Sequence, residues 1–358
     1  MVEQQGDKPI NVLVVGAGAI GCLVGGRLAA AGHAVTLLGR AGLVKAVQAD
    51  GLCLRRPGGQ AQTVHPQAVE SLAALPSLTG FDLLLITVKS FDTATAVAGL
   101  AGRLSPAARV LSLQNGVGNE ELLTRLLPEQ PVLAGSITLP VMVPQTGVVA
   151  VSKEKGGIGL APASEGAAVD DVAQVLQQAG FTVALYADYR SLKWSKLLMN
   201  IISNAIPAIL DMPPAEALAH PRVFNLELAA LRETVAVMRA AGINVVGLPA
   251  YPVPLLATLV RRLPNYLLRP ILRPMVAGGR GDKLPSLQLD MRRRRNQSEV
   301  DVLNKVVAQT GRAVKVATPV NSSVSRILSG IIQGKISRAA FKGNPEALVE
   351  TVLTQQTG

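Results

Sequence analysis

This 358-residue sequence is short of cysteine, of aromatic side chains and of acidic charge. Its two cysteines, Cys22 and Cys53, form no C-x-x-C pair and no ligand cluster. No disulfide framework and no metal site are expected, and the pattern suits the cytoplasm. Both cysteines read as small core residues in apolar surroundings. With aromatics at 3%, the core must be built from Ala, Val and Leu, and base-stacking surfaces for nucleic acid gain no support. Charged residues make up 16% and apolar residues 49%, which excludes a disordered chain and fits a globular protein with a large core. A long uninterrupted apolar run is also missing. The stretch 252–276 is broken by Pro254, Arg261, Arg262, Pro264, Arg269, Pro270, Arg273 and Pro274, whereas a spanning helix needs about 20 apolar residues. The first nine residues, MVEQQGDKP, are polar and lead into a strand, so no signal peptide is expected.

The shortage of acids leaves a formal net charge of +11. Small anionic ligands account for it most simply. No nucleic acid partner is expected. The run Arg292-Arg293-Arg294-Arg295 reads as a solvated helix face, with ligand attraction or an interface as the alternatives.

What is present is an alternation of strands and helices. Residues 10–15 form a β-branched run ending in glycine, 21–31 an apolar helix and 34–38 the next strand. Residues 81–88 (FDLLLITV), 110–113 and 132–138 continue the pattern, which indicates a parallel sheet covered on both faces. Past about residue 189 the pattern becomes helical, with stretches at 189–210, 215–241 (closed by Gly242) and 286–310 (closed by Gly311). The length also favours two domains. The reading is α/β followed by all-α: a doubly wound, Rossmann-type parallel sheet over residues 1–188, then a helical domain over 189–358 with an irregular Pro/Arg-rich insertion at about 247–284.

Gly16-Ala17-Gly18-Ala19-Ile20-Gly21 matches G-x-G-x-x-G between a strand and a helix, the context that a dinucleotide-binding turn requires. Gly16 permits the turn, Gly18 admits the pyrophosphate and Gly21 allows helix–strand packing. The helix N-terminus offers its N–H groups and dipole to the phosphates. The second strand ends Leu37-Leu38-Gly39-Arg40 with no carboxylate close in sequence. Arg40 would form a forked pair with a 2′-phosphate, so NADPH is expected over NADH; the alternative is an ordinary loop arginine.

Lys193-Trp194-Ser195-Lys196-Leu197-Leu198-Met199-Asn200-Ile201-Ile202-Ser203-Asn204 places Lys196, Asn200, Ser203 and Asn204 on one face of an otherwise apolar helix. Buried polar groups need partners, and a polar ligand in an interdomain cleft would supply them; a structural polar network is the other reading. Lys196, set among apolar neighbours and one turn from Lys193, is the candidate general acid, its pKa expected to be lowered by both. Ser286 and Glu299 form a second polar cluster; Glu299 is a candidate to pair with Lys196 and orient it, with an ordinary surface-helix glutamate as the other reading.

Taken together these strings resemble the ketopantoate reductase family. NVLVVGAGAIG, DLLLITVK ending at Lys89, Gln114-Asn115-Gly116, the 193–204 helix, Ser286-Leu287-Gln288-Leu289-Asp290, Ser298-Glu299-Val300-Asp301-Val302-Leu303-Asn304 and Ala317-Thr318-Pro319-Val320-Asn321 occur in the family's order. The resemblance implies an enzyme in which NADPH delivers hydride to the keto carbon of a 2-oxo acid. Lys196 would protonate the carbonyl oxygen with Glu299 beside it. Lys89 and Asn115 would serve the cofactor, and Asn115, Asn200, Asn204 and Ser286 the substrate. Ketopantoate reduction yields pantoate, a precursor of pantothenate. Three features depart from the family pattern: the length of the 245–285 segment, the four-arginine run, and Lys305 where glycine often stands. They leave open a related reductase of another 2-oxo acid or ketone, or a non-catalytic NADP-binding sensor. The insertion's apolar and arginine residues fit a homo-oligomer contact first and an anionic membrane surface second.

Overall fold

The computed structural model describes residues 8–280, 286–292 and 297–354; the side chains of 274–280 and of Ser286 lie outside that description, as do Arg293, Arg294 and Arg295 of the arginine run. The chain divides into two compact units. The first comprises the residues through Gln114, Gly118–Leu192 and Leu248–Tyr251. The second comprises Asn115–Val117, Lys193–Gly247 and the described residues from Pro252 on.

The first unit holds β1 (Asn11–Val15), α1 (Ala19–Ala30), β2 (Ala34–Leu38), α2 (Ala41–Asp50), β3 (Leu52–Arg55), β4 (Ala61–Val64), β5 (Gln67–Val69), β6 (Leu83–Ile86), α3 (Thr93–Val97), β7 (Arg109–Ser112), α4 (Asn119–Leu126), β8 (Val132–Ile137), β9 (Val141–Gln145), β10 (Val148–Val151), β11 (Ile158–Pro162), α5 (Asp170–Gln178) and β12 (Val183–Leu185). Eight strands form one sheet in the order β12-β11-β8-β7-β6-β1-β2-β5. Residue parity assigns each side chain to a face. Val12, Val14, Leu83, Leu85, Leu111 and Leu133 enter one apolar cluster, while Leu13, Val15, Leu84, Ile86, Val110 and Val132 enter the other. Burial on both faces explains why these strands read as continuous apolar runs. The sheet is not wholly parallel: β11 runs antiparallel to β8. A second sheet, β4-β3-β10-β9, was not anticipated, because its strands are only four or five residues long and two of them, β4 and β9, are largely exposed. Cys22 is buried as expected, and burial pushes its thiol up to about 12; Cys53 is only half-buried on β3.

In the second unit the expected long helices are broken. The 189–210 stretch is two helices, α6 (Tyr189–Ile201), whose first residues belong to the first unit, and α7 (Ala205–Leu210). Between them Ser203 takes φ 52°, a left-handed conformation that ends a right-handed helix. The 215–241 stretch is α8 (Pro214–Ala217) and α9 (Pro221–Ala240), split where Pro221 opens the second helix. The insertion is helical rather than irregular, forming α10 (Val253–Arg262) and α11 (Asn265–Arg280), as far as it is described. Pro254 sits in the first turn of α10, where a missing N–H costs nothing. The 286–310 stretch becomes α12 (Ser286–Arg292), a 3₁₀ turn at Glu299–Val302 and α13 (Asn304–Ala313). Ser298 caps that turn, its hydroxyl accepting from the Val300 N–H. Then follow α14 (Pro319–Ile332) and α15 (Pro345–Thr354). Among the described residues no helix is long and apolar enough to cross a membrane.

Asp211, also left-handed at φ 51°, closes α7 and gathers three cations: Arg338 at 2.8 Å, Arg292 at 3.3 Å and Lys342 at 3.9 Å. Gln288 of α12 donates to the same carboxylate at 3.2 Å. Burial opposes the charge on Asp211. The Gln288 hydrogen bond and the Arg338 and Arg292 guanidiniums outweigh it and hold the carboxyl below its ordinary 3.8. The stabilisation is complete above that ordinary value and is lost as pH falls through the lowered one. Asn tolerates the left-handed conformation, so Asp211→Asn isolates the charge. The variant is expected to lose about 1–3 kcal/mol at neutral pH and to show a shallower acid limb, read by urea unfolding from pH 7 to pH 3. An unchanged acid limb would remove Asp211 from the pH response.

Candidate active site

In the first unit, β1 ends at Val15 and α1 starts at Ala19, so the glycine turn joins a central strand to a helix N-terminus. Its three glycines are required for different reasons. Gly16 has φ +101°, and a Cβ there would stand 2.7 Å from the Val88 nitrogen. A Cβ on Gly21 would lie 2.6 Å from both the Gly16 carbonyl and the Thr87 hydroxyl. The fold itself therefore demands these two. At Gly18 a Cβ would meet only the Gly16 carbonyl, at 3.9 Å. Protein packing leaves that position open at the N-cap of α1, whose first N–H groups are those of Ala19, Ile20 and Gly21, and no side chain caps this helix. Ala17 is half-buried beside it. Thr87, which the sequence reading passed over inside the 81–88 run, donates to the Gly16 carbonyl at 2.7 Å and fixes the turn. Lys89 is half-buried just beyond β6. Gln114 braces this edge, its Nε2 donating to Val88 O at 2.9 Å and to the Thr93 hydroxyl at 2.8 Å.

Arg40 is exposed at the N-cap of α2, directly after β2. The neighbouring strand adds a group that sequence proximity did not reveal. β5 runs parallel to β2, Gly39 N–H donates to Val69 O at 3.0 Å, and the next residue is the exposed Glu70. A cation and a carboxylate thus stand at the end of adjacent strands.

In the second unit, α6 carries the polar set. From Ser191 to Leu198 all residues are buried except Lys196; Met199 and Asn200 are the next half-exposed positions. Lys196 and Asn200 therefore share the open face of α6, as the i, i+4 spacing predicts. Lys193, at 2% exposure, is the deeper of the two lysines, contrary to the reading that singled out Lys196 for burial.

The break at Ser203 removes Ser203 and Asn204 from that face and turns both inward. The carboxylate of Glu227, 5% exposed on α9, accepts from the Ser203 backbone N–H at 3.2 Å. Asn204 then spends both ends of its amide on protein: Nδ2 donates to Asn200 O at 3.1 Å, and Oδ1 accepts from Leu287 N–H at 3.3 Å. It thereby fastens the first turn of α12, where Ser286 stands; the Ser286 side chain is outside the described residues.

Asn115 reaches this set by a separate route. The turn Asn115–Val117 belongs to the helical unit. Gly116 has φ +87°, and a Cβ there would come within 2.6 Å of the Val302 carbonyl, so only glycine fits. Val117 N–H donates to Val302 O at 3.2 Å. The turn is thus seated on the same 3₁₀ element that carries Glu299, itself 3% exposed. Asn200 Nδ2 then donates to Asn115 Oδ1 at 3.3 Å. The structure brings Asn115, Asn200 and Asn204 together and ties in the elements bearing Glu299 and Ser286. Among the described residues, no group of three or more His, Cys, Asp or Glu side chains is arranged to hold a metal.

Known proteins resemble this chain over most of its length. Residues 12–165 match the model of "Ketopantoate reductase PanE/ApbA", and residues 188–332 match its C-terminal counterpart. A 2-dehydropantoate 2-reductase of Halobacterium salinarum is 35% identical over 242 residues, 66% of this chain and 77% of that protein. One from Pyrococcus horikoshii is 28% identical over 317 residues, 87% and 94% of the two chains. Among solved structures, a ketopantoate reductase of Ralstonia eutropha is 31% identical with a TM-score of 0.76, covering 91% of this chain and 99% of that one. D-mandelate dehydrogenase with NADH and anilino(oxo)acetate shares the fold at 20% identity, with the same TM-score and coverage. With its glycine-turn unit and its lysine–asparagine helix both inside matched segments, the chain belongs to the ketopantoate reductase family.

Proposed function

We propose that this protein reduces 2-dehydropantoate to pantoate with NADPH, in the cytoplasm, as a step toward pantothenate. The observation that carries the reading is the half-exposed Lys196 one helical turn from Asn200, on a helix whose other residues are buried from Ser191 to Leu198. A primary ammonium on an apolar helix, framed by amides, suits proton donation to a carbonyl oxygen as hydride reaches the carbon. Asn200 and Asn115 supply amide donors for a carboxylate or hydroxyl, and Ser286 and Glu299 complete the substrate set. Glu299 is the residue that orients the lysine. Asn204 acts by positioning, because it is buried with both ends of its amide bonded to protein, whereas Asn200 is half-exposed. The dinucleotide belongs on the glycine turn, with Gly18 as the point of closest approach, Lys89 beside it and Arg40 on the 2′-phosphate. NADPH supplies the hydride when bound; the protein's own part is to hold the substrate and deliver the proton.

A second reading keeps the chemistry and changes the substrate to another 2-oxo acid. It is favoured by the arginine-rich α10 and α11 helices, which directly precede the Ser286 segment. A panel of 2-oxo acids assayed with NADPH separates the two. Highest kcat/KM on 2-dehydropantoate supports the first reading, and turnover confined to another 2-oxo acid supports the second.

Lys196→Ala is expected to lower kcat by about 10²–10⁴ with dinucleotide affinity unchanged, measured by NADPH oxidation and fluorescence titration. Near-normal kcat would rule out the proton-donor role. Arg40→Ala is expected to raise KM for NADPH by about tenfold or more, the worth of a charged hydrogen bond, while sparing NADH. Equal losses with both cofactors would instead point to Glu70 or to the fold. Gly18→Val is expected to block dinucleotide binding with a near-native Tm, whereas Gly21→Val should lower Tm steeply; the two together distinguish a ligand-facing glycine from a packing one.

A further inference from the structure

The helices α10 and α11 carry a surface that the proposed reaction does not use. Among the described residues nine large hydrophobic side chains are exposed, and four of them lie here: Leu255 (55%), Tyr266 (75%), Leu267 (43%) and Ile271 (42%). Exposed apolar groups concentrated in one short segment mark a contact surface, whereas scattered ones do not. Leu255 and half-buried Leu259 follow one another at i, i+4 on α10, as do Leu267 and Ile271 on α11.

The helices are firmly held from beneath. Val253, Ala257 and Val260 of α10 and Leu268 and Leu272 of α11 are buried. Arg232 of α9 clamps the junction between them: its Nε donates to Val260 O at 2.8 Å, Nη2 to Leu263 O at 2.9 Å and Nη1 to Asn265 Oδ1 at 2.6 Å. Arg269 donates to Ala219 O at 2.7 Å. The exposed apolar residues are therefore displayed on an anchored base.

Charge decides what this surface meets. From residue 234 to 281 the sequence holds no Asp, no Glu and no Lys, and its only charged side chains are arginines. Arg261, Arg262 and Arg273 are exposed beside the apolar residues. A second copy meeting this face about a two-fold axis would set the same arginines against one another with no carboxylate from the segment to pair them, and like charges brought together are costly. An anionic lipid surface reverses that sign. Its phosphates pair with guanidiniums, while Tyr266, Leu267 and Ile271 enter the headgroup boundary without a spanning helix. We propose that α10 and α11 form a peripheral docking face for anionic membrane lipid. On this proposal the charge pattern reverses the order in which the sequence ranked the two partners. The proposal is independent of the substrate and of the reaction.

The test is co-sedimentation of the full chain with vesicles of mixed phosphatidylglycerol and phosphatidylcholine, and with vesicles of phosphatidylcholine alone. Expected is binding to the mixed vesicles at low salt, weakened by added salt and negligible on phosphatidylcholine. Arg261→Gln/Arg262→Gln should lower the partition coefficient by about fivefold per arginine. Tyr266→Ser/Ile271→Ser should abolish binding while leaving NADPH-dependent turnover and Tm at wild-type levels. Absence of binding at low salt overturns the proposal, as does equal binding by the substituted proteins. It is also overturned if sedimentation equilibrium finds a wild-type dimer that Tyr266→Ser/Ile271→Ser converts to monomer, because the face then belongs to a second copy.

Discussion

One buried contact holds the break between α6 and α7, the Glu227 carboxylate accepting from the Ser203 N–H. A left-handed serine inside a buried helical stretch is unfavourable by itself, and it persists because the surroundings over-determine it. If α6 continued straight on, Asn204 would lie on the same stripe as Lys196 and Asn200, and the first turn of α12 would lose the acceptor it takes from Asn204. The break converts one residue of a polar stripe into a brace. It leaves Lys196 and Asn200 on the open side and binds the start of α12 behind them.

A similar economy governs the Asn115 turn. The residues on either side of it in sequence belong to the sheet unit, yet Asn115–Val117 belongs to the helical one. Gly116 is obligatory because Val302 occupies the space a side chain would need, and Val117 donates to the same residue. The amide of Asn115 is therefore held by the element that holds Glu299. In both places a backbone conformation that most residues avoid positions the polar groups.

The sequence made the central strands and the glycine turn legible, because strands buried on both faces leave continuous apolar runs and G-x-G-x-x-G has a backbone reason at each glycine. It left the small second sheet invisible, since strands of four or five residues are too short to carry a distinct period. It joined helices that are separate, because an i, i+4 pattern passes through Ser203 unchanged and only a buried carboxylate far along the chain reveals the break. Prolines misled in the opposite sense: at Pro254 they start helices that a reading of them as breakers dissolves into an irregular insertion. At the site, the shared face of Lys196 and Asn200 was readable from spacing. The engaged state of Asn204, the deeper burial of Lys193 and the arrival of Glu70 beside Gly39 were not, since each depends on which distant element packs against it.

The most direct measurement is a crystal structure of the protein with NADP and a non-reacting 2-oxo acid analogue bound. The account requires the Lys196 ammonium within hydrogen-bond distance of the oxygen on the analogue's second carbon, about 3 Å, with Asn200 on the bound molecule as well. An analogue held elsewhere, or Lys196 directed away from that oxygen while Asn200 and Asn115 keep their mutual bond, would contradict it.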